Sequence, residues 1–98
     1  MTLRRVGLIA RHTLPDALAA MTEAATWLDS RGCTPVLERD SADAAGLGGR
    51  WTTVAREAIG HDVDLVIAFG GDGTLLNAAS AVAHSPDDTP ILGVNLGH

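Results

Sequence analysis

Asp64-Leu65-Val66-Ile67-Ala68-Phe69-Gly70-Gly71-Asp72-Gly73-Thr74 is the stretch whose reading decides the fold. After the leading aspartate comes a continuous apolar run, which suits a strand covered on both faces, as in a parallel sheet. The run passes directly into three glycines, an aspartate and a threonine. Residues 75–84 beyond them are Ala-rich and predict a helix. Strand, glycine loop and helix in succession are the opening of a parallel crossover unit.

The rest of the chain extends that pattern in both directions. Val6-Gly7-Leu8-Ile9-Ala10 is a second short apolar run and predicts the first strand. Thr13 or Leu14 precedes Pro15, and proline fits the first turn of a helix. Asp16 then sits where negative charge is favoured. Leu18, Met21, Ala25 and Leu28 recur at helical spacing, so residues 15–31 read as an amphipathic helix with Gly32 as its C-terminal cap. Pro35-Val36-Leu37-Glu38 is a weaker strand candidate. Residues 41–49 read as a loop, and Gly46, Gly48 and Gly49 lack both the leading strand and the spacing of a dinucleotide fingerprint. Thr52 or Thr53 is expected to cap a short helix through Ile59. Residues 85–90 are turn-rich, and Ile91-Leu92-Gly93-Val94 is the last expected strand, followed by Asn95-Leu96-Gly97-His98.

This order predicts an α/β fold: a Rossmann-like three-layer domain with a mostly parallel sheet of about four strands. Its 98 residues fit one domain, residues 1–98. The chain stops just after the fourth expected strand, as a cut through a larger protein would leave it.

Composition narrows the function classes. A net charge of −5 argues against a nucleic-acid partner. Trp27, Trp51 and Phe69 are too few for a base-stacking platform; the tryptophans and Leu28 are expected in the core or at a subunit contact. All seven basic residues are arginines, which excludes a Walker-type phosphate loop and any Schiff-base lysine. Cys33 is the single cysteine, so no internal disulfide forms and a reducing compartment is favoured. No apolar run approaches the roughly 20 residues of a membrane span. The expectation is a cytoplasmic protein with no membrane partner. The four histidines and the cysteine show no zinc spacing, and no metal ligand is assigned. His61 and His84 fall at helix ends, and Asp87 and Asp88 in a solvated turn.

The glycine segment carries the chemistry. Ligands of open α/β sheets bind beyond the carboxyl ends of strands. Glycines let backbone amides approach a polyanion, and the following helix turns its positive dipole end toward phosphate. Thr74 offers a hydroxyl, either as helix cap or to phosphate. Asp72 is unusual there, because a carboxylate repels phosphate. Two roles fit: accepting a proton from an attacking hydroxyl, or helping to hold a Mg²⁺ that neutralises the phosphates. The plainer alternative is a turn aspartate bonded to its own backbone. Arg11 and His12 join this crevice if the sheet reverses its order between the first and third expected strands.

Gly70-Gly71-Asp72-Gly73-Thr74-Leu75-Leu76, followed by Ile91-Leu92-Gly93-Val94-Asn95-Leu96-Gly97, resembles the N-terminal domain of NAD kinases. The first block alone is shared with diacylglycerol and sphingosine kinases and 6-phosphofructokinases; the second favours NAD kinase. The resemblance implies phosphoryl transfer from ATP or polyphosphate, with Mg²⁺ or another divalent cation, to the adenosine-ribose 2′-hydroxyl of NAD. It implies Asp72 as proton acceptor, Gly70, Gly71 and Thr74 as the phosphate cradle, and Gly73 against the dinucleotide. Asn77 falls where many members carry a basic residue facing the dinucleotide. Asn95 and His98 fall near the same crevice. The family's downstream Asn-Asp/Glu motif and its β-rich C-terminal domain, which closes over NAD, are not in this chain. The isolated chain is therefore expected to be inactive, and the full-length protein to be a homo-oligomer. Two alternatives stand beside this reading: a lipid kinase of the diacylglycerol or sphingosine type, and a non-catalytic nucleotide-binding fragment.

Overall fold

A computed structural model describes residues 2–96. The elements run β1 (Arg5–Ala10), α1 (Pro15–Ser30), β2 (Thr34–Glu38), α2 (Arg39–Ala44), β3 (Thr52–Val54), a 3-10 turn (Arg56–Ala58), β4 (Leu65–Gly70), α3 (Asp72–Ala83) and β5 (Ile91–Asn95). The sheet is parallel throughout, in the order β3-β2-β1-β4-β5.

The α/β three-layer architecture is the expected one, and three local readings change. Among the described residues the sheet has five strands, where about four were expected. Thr52 and Thr53 do not cap a helix over residues 52–59; they lie in β3, paired with Val36 and Leu37 of β2. Two threonines and a valine are β-branched, and the edge of β2 supplies backbone partners that a short helix would forgo. Helix survives only as the turn Arg56–Ala58. The segment read as a loop from residue 41 instead begins inside α2. Glu38 caps that helix, its carboxylate accepting from the N–H groups of Asp40 at 2.9 Å and Ser41 at 3.0 Å. Finally, α3 starts three residues before Leu75, so Asp72, Gly73 and Thr74 form its first turn rather than a loop.

Strand alternation divides the buried side chains between two cores. Val6, Leu8 and Ala10 of β1 pack with Leu37, Phe69 and the buried stripe of α1. That stripe is Ala17, Met21, Ala25 and Leu28, with Leu18 half-buried beside it. Ile9, Val36, Val66 and Ala68 point the other way, onto Ile59, Val63 and the α3 residues Ala78, Ala81 and Val82. Each fully buried Val, Leu, Ile or Met side chain among them contributes roughly 1.5–3 kcal/mol relative to exposure. Leu47 anchors the loop after α2 into the first core. Trp27 is no core residue: it is 56% exposed, with the Arg31 guanidinium over its ring.

Pro15 opens α1 as expected, with Leu14 as the N-cap. At the other end Gly32 and Cys33 donate to the carbonyls of Asp29 and Leu28 in a Schellman closure. Gly7 is required for close approach. A Cβ there would lie 2.8 Å from the Ile59 carbonyl oxygen, so the turn after Arg56–Ala58 rests directly on β1. No helix among the described residues is long and apolar enough to cross a membrane.

Candidate functional site

The order of the sheet reverses between β1 and β4. From β1 the chain crosses over α1 to β2, while from β4 it crosses over α3 to β5. The two helices pack on opposite faces, so their ends diverge above this pair of strands and leave a crevice. Two hydrogen bonds finish the strand ends around it. Arg11 N–H donates to the Phe69 carbonyl at 2.9 Å, and Leu96 N–H to the Gly70 carbonyl at 2.9 Å.

Gly70 is where the chain turns from strand to helix. Its φ is +154°, and a Cβ there would meet Thr74 Oγ1 at 2.5 Å and Arg11 Cβ at 3.1 Å. The missing side chain is what lets Arg11 and Thr74 close over the strand end. Gly71 is the N-cap of α3 and supplies no side-chain cap. Thr74 is not the cap either; it sits in the third position of the helix. The first carbonyl used by the helix is that of Gly71, accepting from Leu75 N–H at 3.2 Å. Helix geometry therefore leaves the N–H groups of Asp72, Gly73 and Thr74 without an intrahelical partner, at the positive end of the helix dipole.

The crevice has two lobes. The smaller, of about 230 Å³, is lined by Arg11, Gly71, Asp72, Gly73, Thr74 and Asn77. The larger, of about 470 Å³, shares Arg11, Thr74 and Asn77 with it. It continues over Ile9, Ala10 and His12 to the ends of β2 and β3, where Glu38, Arg39, Asp40, Ala55, Arg56 and Glu57 complete it. The larger volume falls within the range of small-molecule sites, roughly 300–1,000 Å³, and the smaller lies below it.

Asp72 is exposed, and among the described residues no hydrogen bond or ion pair engages its carboxylate. Asp64, at the opposite end of β4, is its structural counterpart. The Asp64 carboxylate accepts from the N–H groups of Arg4 at 2.8 Å and Arg5 at 3.1 Å. These backbone bonds, that from Arg4 first, hold its pKa below the ordinary aspartate value. One aspartate ties down the base of the sheet; the other is left open above it. Among the described residues Arg11 engages its Nε alone, on the Thr13 hydroxyl at 3.2 Å, and guanidinium has further donors for an anion. Among the described residues no atom lies within 4 Å of a Cβ added at Gly73, whose backbone is helical. Neither packing nor backbone conformation asks for glycine there, so the open space above it is the feature left to explain.

Of the residues expected to form the site, Gly71, Asp72, Gly73, Thr74 and Asn77 come together in the smaller lobe. Gly70 shapes the lobe without lining it. Asn95 pairs with Gly70 in the sheet register but lines neither lobe. His98 lies outside the described residues. Arg11 and His12 do reach the crevice.

Sequence reading missed the far wall of the larger lobe. Its signal was position, since Glu38, Arg39 and Asp40 follow the carboxyl end of β2. An acid at the end of the second strand commonly holds a ribose in dinucleotide folds. Glu38 is otherwise occupied: it is 4% exposed, and Oε1 lies 2.5 Å from the Ser41 hydroxyl besides capping α2. Ser41 Oγ also lies 3.0 Å from both the N–H and the carbonyl of Ala10, joining α2 to β1. No three His, Cys, Asp or Glu side chains among the described residues group to hold a metal ion. A divalent cation fits this crevice only if it arrives on phosphates, with Asp72 as its one protein carboxylate on the smaller lobe.

A family profile described as the ATP-NAD kinase N-terminal domain matches residues 6–98. The chain is 38% identical over 95 residues to an NAD kinase of Nitrosomonas eutropha, covering 96% of this chain and 31% of that protein. It is 39% identical over 95 residues to an NAD kinase of Syntrophotalea carbinolica, covering 97% and 32%. The chain thus spans about a third of the length of the curated relatives it matches. Among solved structures it is similar to yeast NADH kinase complexed with NADH, with a TM-score of 0.79. That match covers 100% of this chain and 33% of the other at 22% identity, a likeness of fold.

Proposed function

The chain belongs to the ATP-NAD kinase N-terminal domain family, and on that premise we propose that the protein carrying it phosphorylates the adenosine-ribose 2′-hydroxyl of NAD to give NADP. The observation that carries the reading is the Asp72 carboxylate, unengaged among the described residues beside three N–H groups that the helix leaves free. A ribose hydroxyl attacks poorly until its proton is removed, and Asp72 is the acid positioned to take it. The amides of residues 72–74, the Thr74 hydroxyl and the Arg11 guanidinium stabilise the phosphoryl charge. Gly73 lets the dinucleotide approach the backbone, and Asn77 offers an amide where a charged contact would otherwise stand. Gly70 and Gly71 shape the turn that aims these groups. Asn95 belongs to the neighbouring strand end and acts, in this reading, where a further part of the protein closes the site.

The donor is ATP or polyphosphate, and a divalent cation brought on its phosphates supplies charge neutralisation. This chain is the N-terminal α/β domain, 1–98, and a β-rich C-terminal domain completes the NAD site in a homo-oligomer acting in the cytoplasm. Alone, the chain holds one wall of the site and turns over poorly, because catalysis by positioning needs both walls.

The experiment is NADP formation by the full-length protein with NAD, NADH and lipid alcohols offered in turn. Asp72→Asn is expected to lower turnover on NAD by about 10²–10⁴-fold while NAD still binds. Wild-type turnover in that variant would refute the role given to Asp72. Preferential phosphorylation of a lipid alcohol would refute the choice of substrate.

A further inference from the structure

We propose that Ser41, itself held by Glu38, is a positioning residue: it fixes the peptide between Ala10 and Arg11 and thereby aims the Arg11 guanidinium. The assignment rests on the reading that Arg11 stabilises charge on the transferred phosphoryl group.

The need for such a residue comes from unequal strands. The ladder between β1 and β2 ends at Leu8 and Leu37, and the chain enters α2 at Arg39. β1 runs on to Ala10, whose N–H and carbonyl face the side that β2 has already left. Ser41 takes the place of the missing strand. Ala10 N–H donates to its Oγ at 3.0 Å, and the Ala10 carbonyl lies 3.0 Å from the same Oγ. A hydroxyl both donates and accepts, so one side chain serves both backbone groups. An apolar residue at 41 would leave them buried without partners.

The peptide that follows is then held at both ends. Its carbonyl is at Ser41, and its N–H, that of Arg11, donates to the Phe69 carbonyl at 2.9 Å. A planar peptide fixed by both groups sets the direction in which the Arg11 side chain leaves the backbone. Glu38 holds the serine in turn. Its Oε1 lies 2.5 Å from Ser41 Oγ, and its two oxygens accept from the N–H groups of Ser41 and Asp40. Ser41 is fully buried and Glu38 nearly so, and no buried side-chain polar atom among the described residues lacks a partner. A network satisfied throughout is rigid. Arg11 borders both lobes of the crevice, whereas Ser41 lines neither. Ser41 therefore acts through Arg11 and not on a ligand.

The test is a double-mutant cycle in the full-length protein, read as NADP formation from NAD with Mg-ATP. Arg11→Ala is expected to lower kcat by about 10²-fold. Ser41→Ala should lower kcat by about tenfold, because a misaimed group loses much of its effect, and leave KM for NAD within about twofold. In the Arg11→Ala background the same serine substitution should cost less than about twofold, since nothing remains to be aimed. Ser41→Cys, close to serine in volume but with a weakly bonding thiol, repeats the cycle should Ser41→Ala not fold. Urea unfolding of each variant separates loss of folded protein from loss of turnover. Losses that multiply in the double variant would make Ser41 structural only and overturn the proposal. Wild-type kcat in Arg11→Ala would refute the role given to Arg11 and the proposal with it. No NADP from the wild-type protein would instead remove the underlying reading.

Discussion

Replacing Gly73 with alanine separates what the first turn of α3 does for folding from what it does for a ligand. Glycine costs up to about 1 kcal/mol relative to alanine in a helix interior, and part of that at the second helical position. An added Cβ meets nothing within 4 Å, and the backbone there is already helical. The methyl group therefore adds no strain, and Gly73→Ala should stabilise the fold by about 0.5 kcal/mol, read by urea unfolding. The same methyl stands at the smaller lobe, beside the carboxylate proposed to take the acceptor's proton. KM for NAD in the full-length protein should rise about tenfold, equivalent to about 1.4 kcal/mol of lost binding. Gly70→Ala is the opposite case. Its Cβ would meet Thr74 Oγ1 at 2.5 Å, on a backbone held at φ +154°. It should destabilise by about 1–3 kcal/mol, with activity lost through folding. If Gly73→Ala instead destabilises the protein, or leaves KM for NAD unchanged, the glycine does not serve a ligand.

Asp64 sets an acid-side limit. Its pKa is held low by the N–H groups of Arg4 and Arg5, so its contribution is present above the unfolded aspartate value and is lost as pH falls through the lower folded value. Asp64→Asn should flatten the acid limb of the stability–pH profile, and an unchanged limb would refute this. Gly7→Ala places a Cβ 2.8 Å from a backbone oxygen and should cost about 1–3 kcal/mol in chemical denaturation. Ser41→Ala leaves the Ala10 N–H without its side-chain acceptor and removes a partner of Glu38. A loss of about 1–3 kcal/mol is expected in chemical denaturation. Leu8→Ala, at a fully buried position, should cost about 2–5 kcal/mol with no specific effect on either substrate.

Strong local signals survived folding unchanged. The apolar runs of β1 and β4, the proline-opened α1 and the last strand lie within a residue or two of where periodicity and breakers put them. The weak signals were decided elsewhere. Thr52, Thr53 and Val54 became a strand because β2 had an open edge to fill. Residues 39–44 became a helix because Glu38, at the end of a strand, turned back to cap it. The first turn of α3 took in Asp72, Gly73 and Thr74 despite a glycine, once α3 had a sheet to pack on.

Most of the smaller lobe was legible because Gly71 through Asn77 lie close together in the chain; Arg11, which also lines it, comes from the end of β1. The larger lobe joins residues 9–12, 38–40, 55–57 and two residues of α3, and no local pattern links segments so far apart. The amino-acid order alone thus determined the alternation of strand and helix and the composition of one glycine-rich turn, because backbone preference and side-chain type act over a few neighbouring residues. Tertiary structure alone decided the strand order β3-β2-β1-β4-β5, the reversal between β1 and β4, and the second wall that reversal creates. Sheet order is set by competition among whole surfaces for burial and backbone partners, and no short window of residues contains that competition.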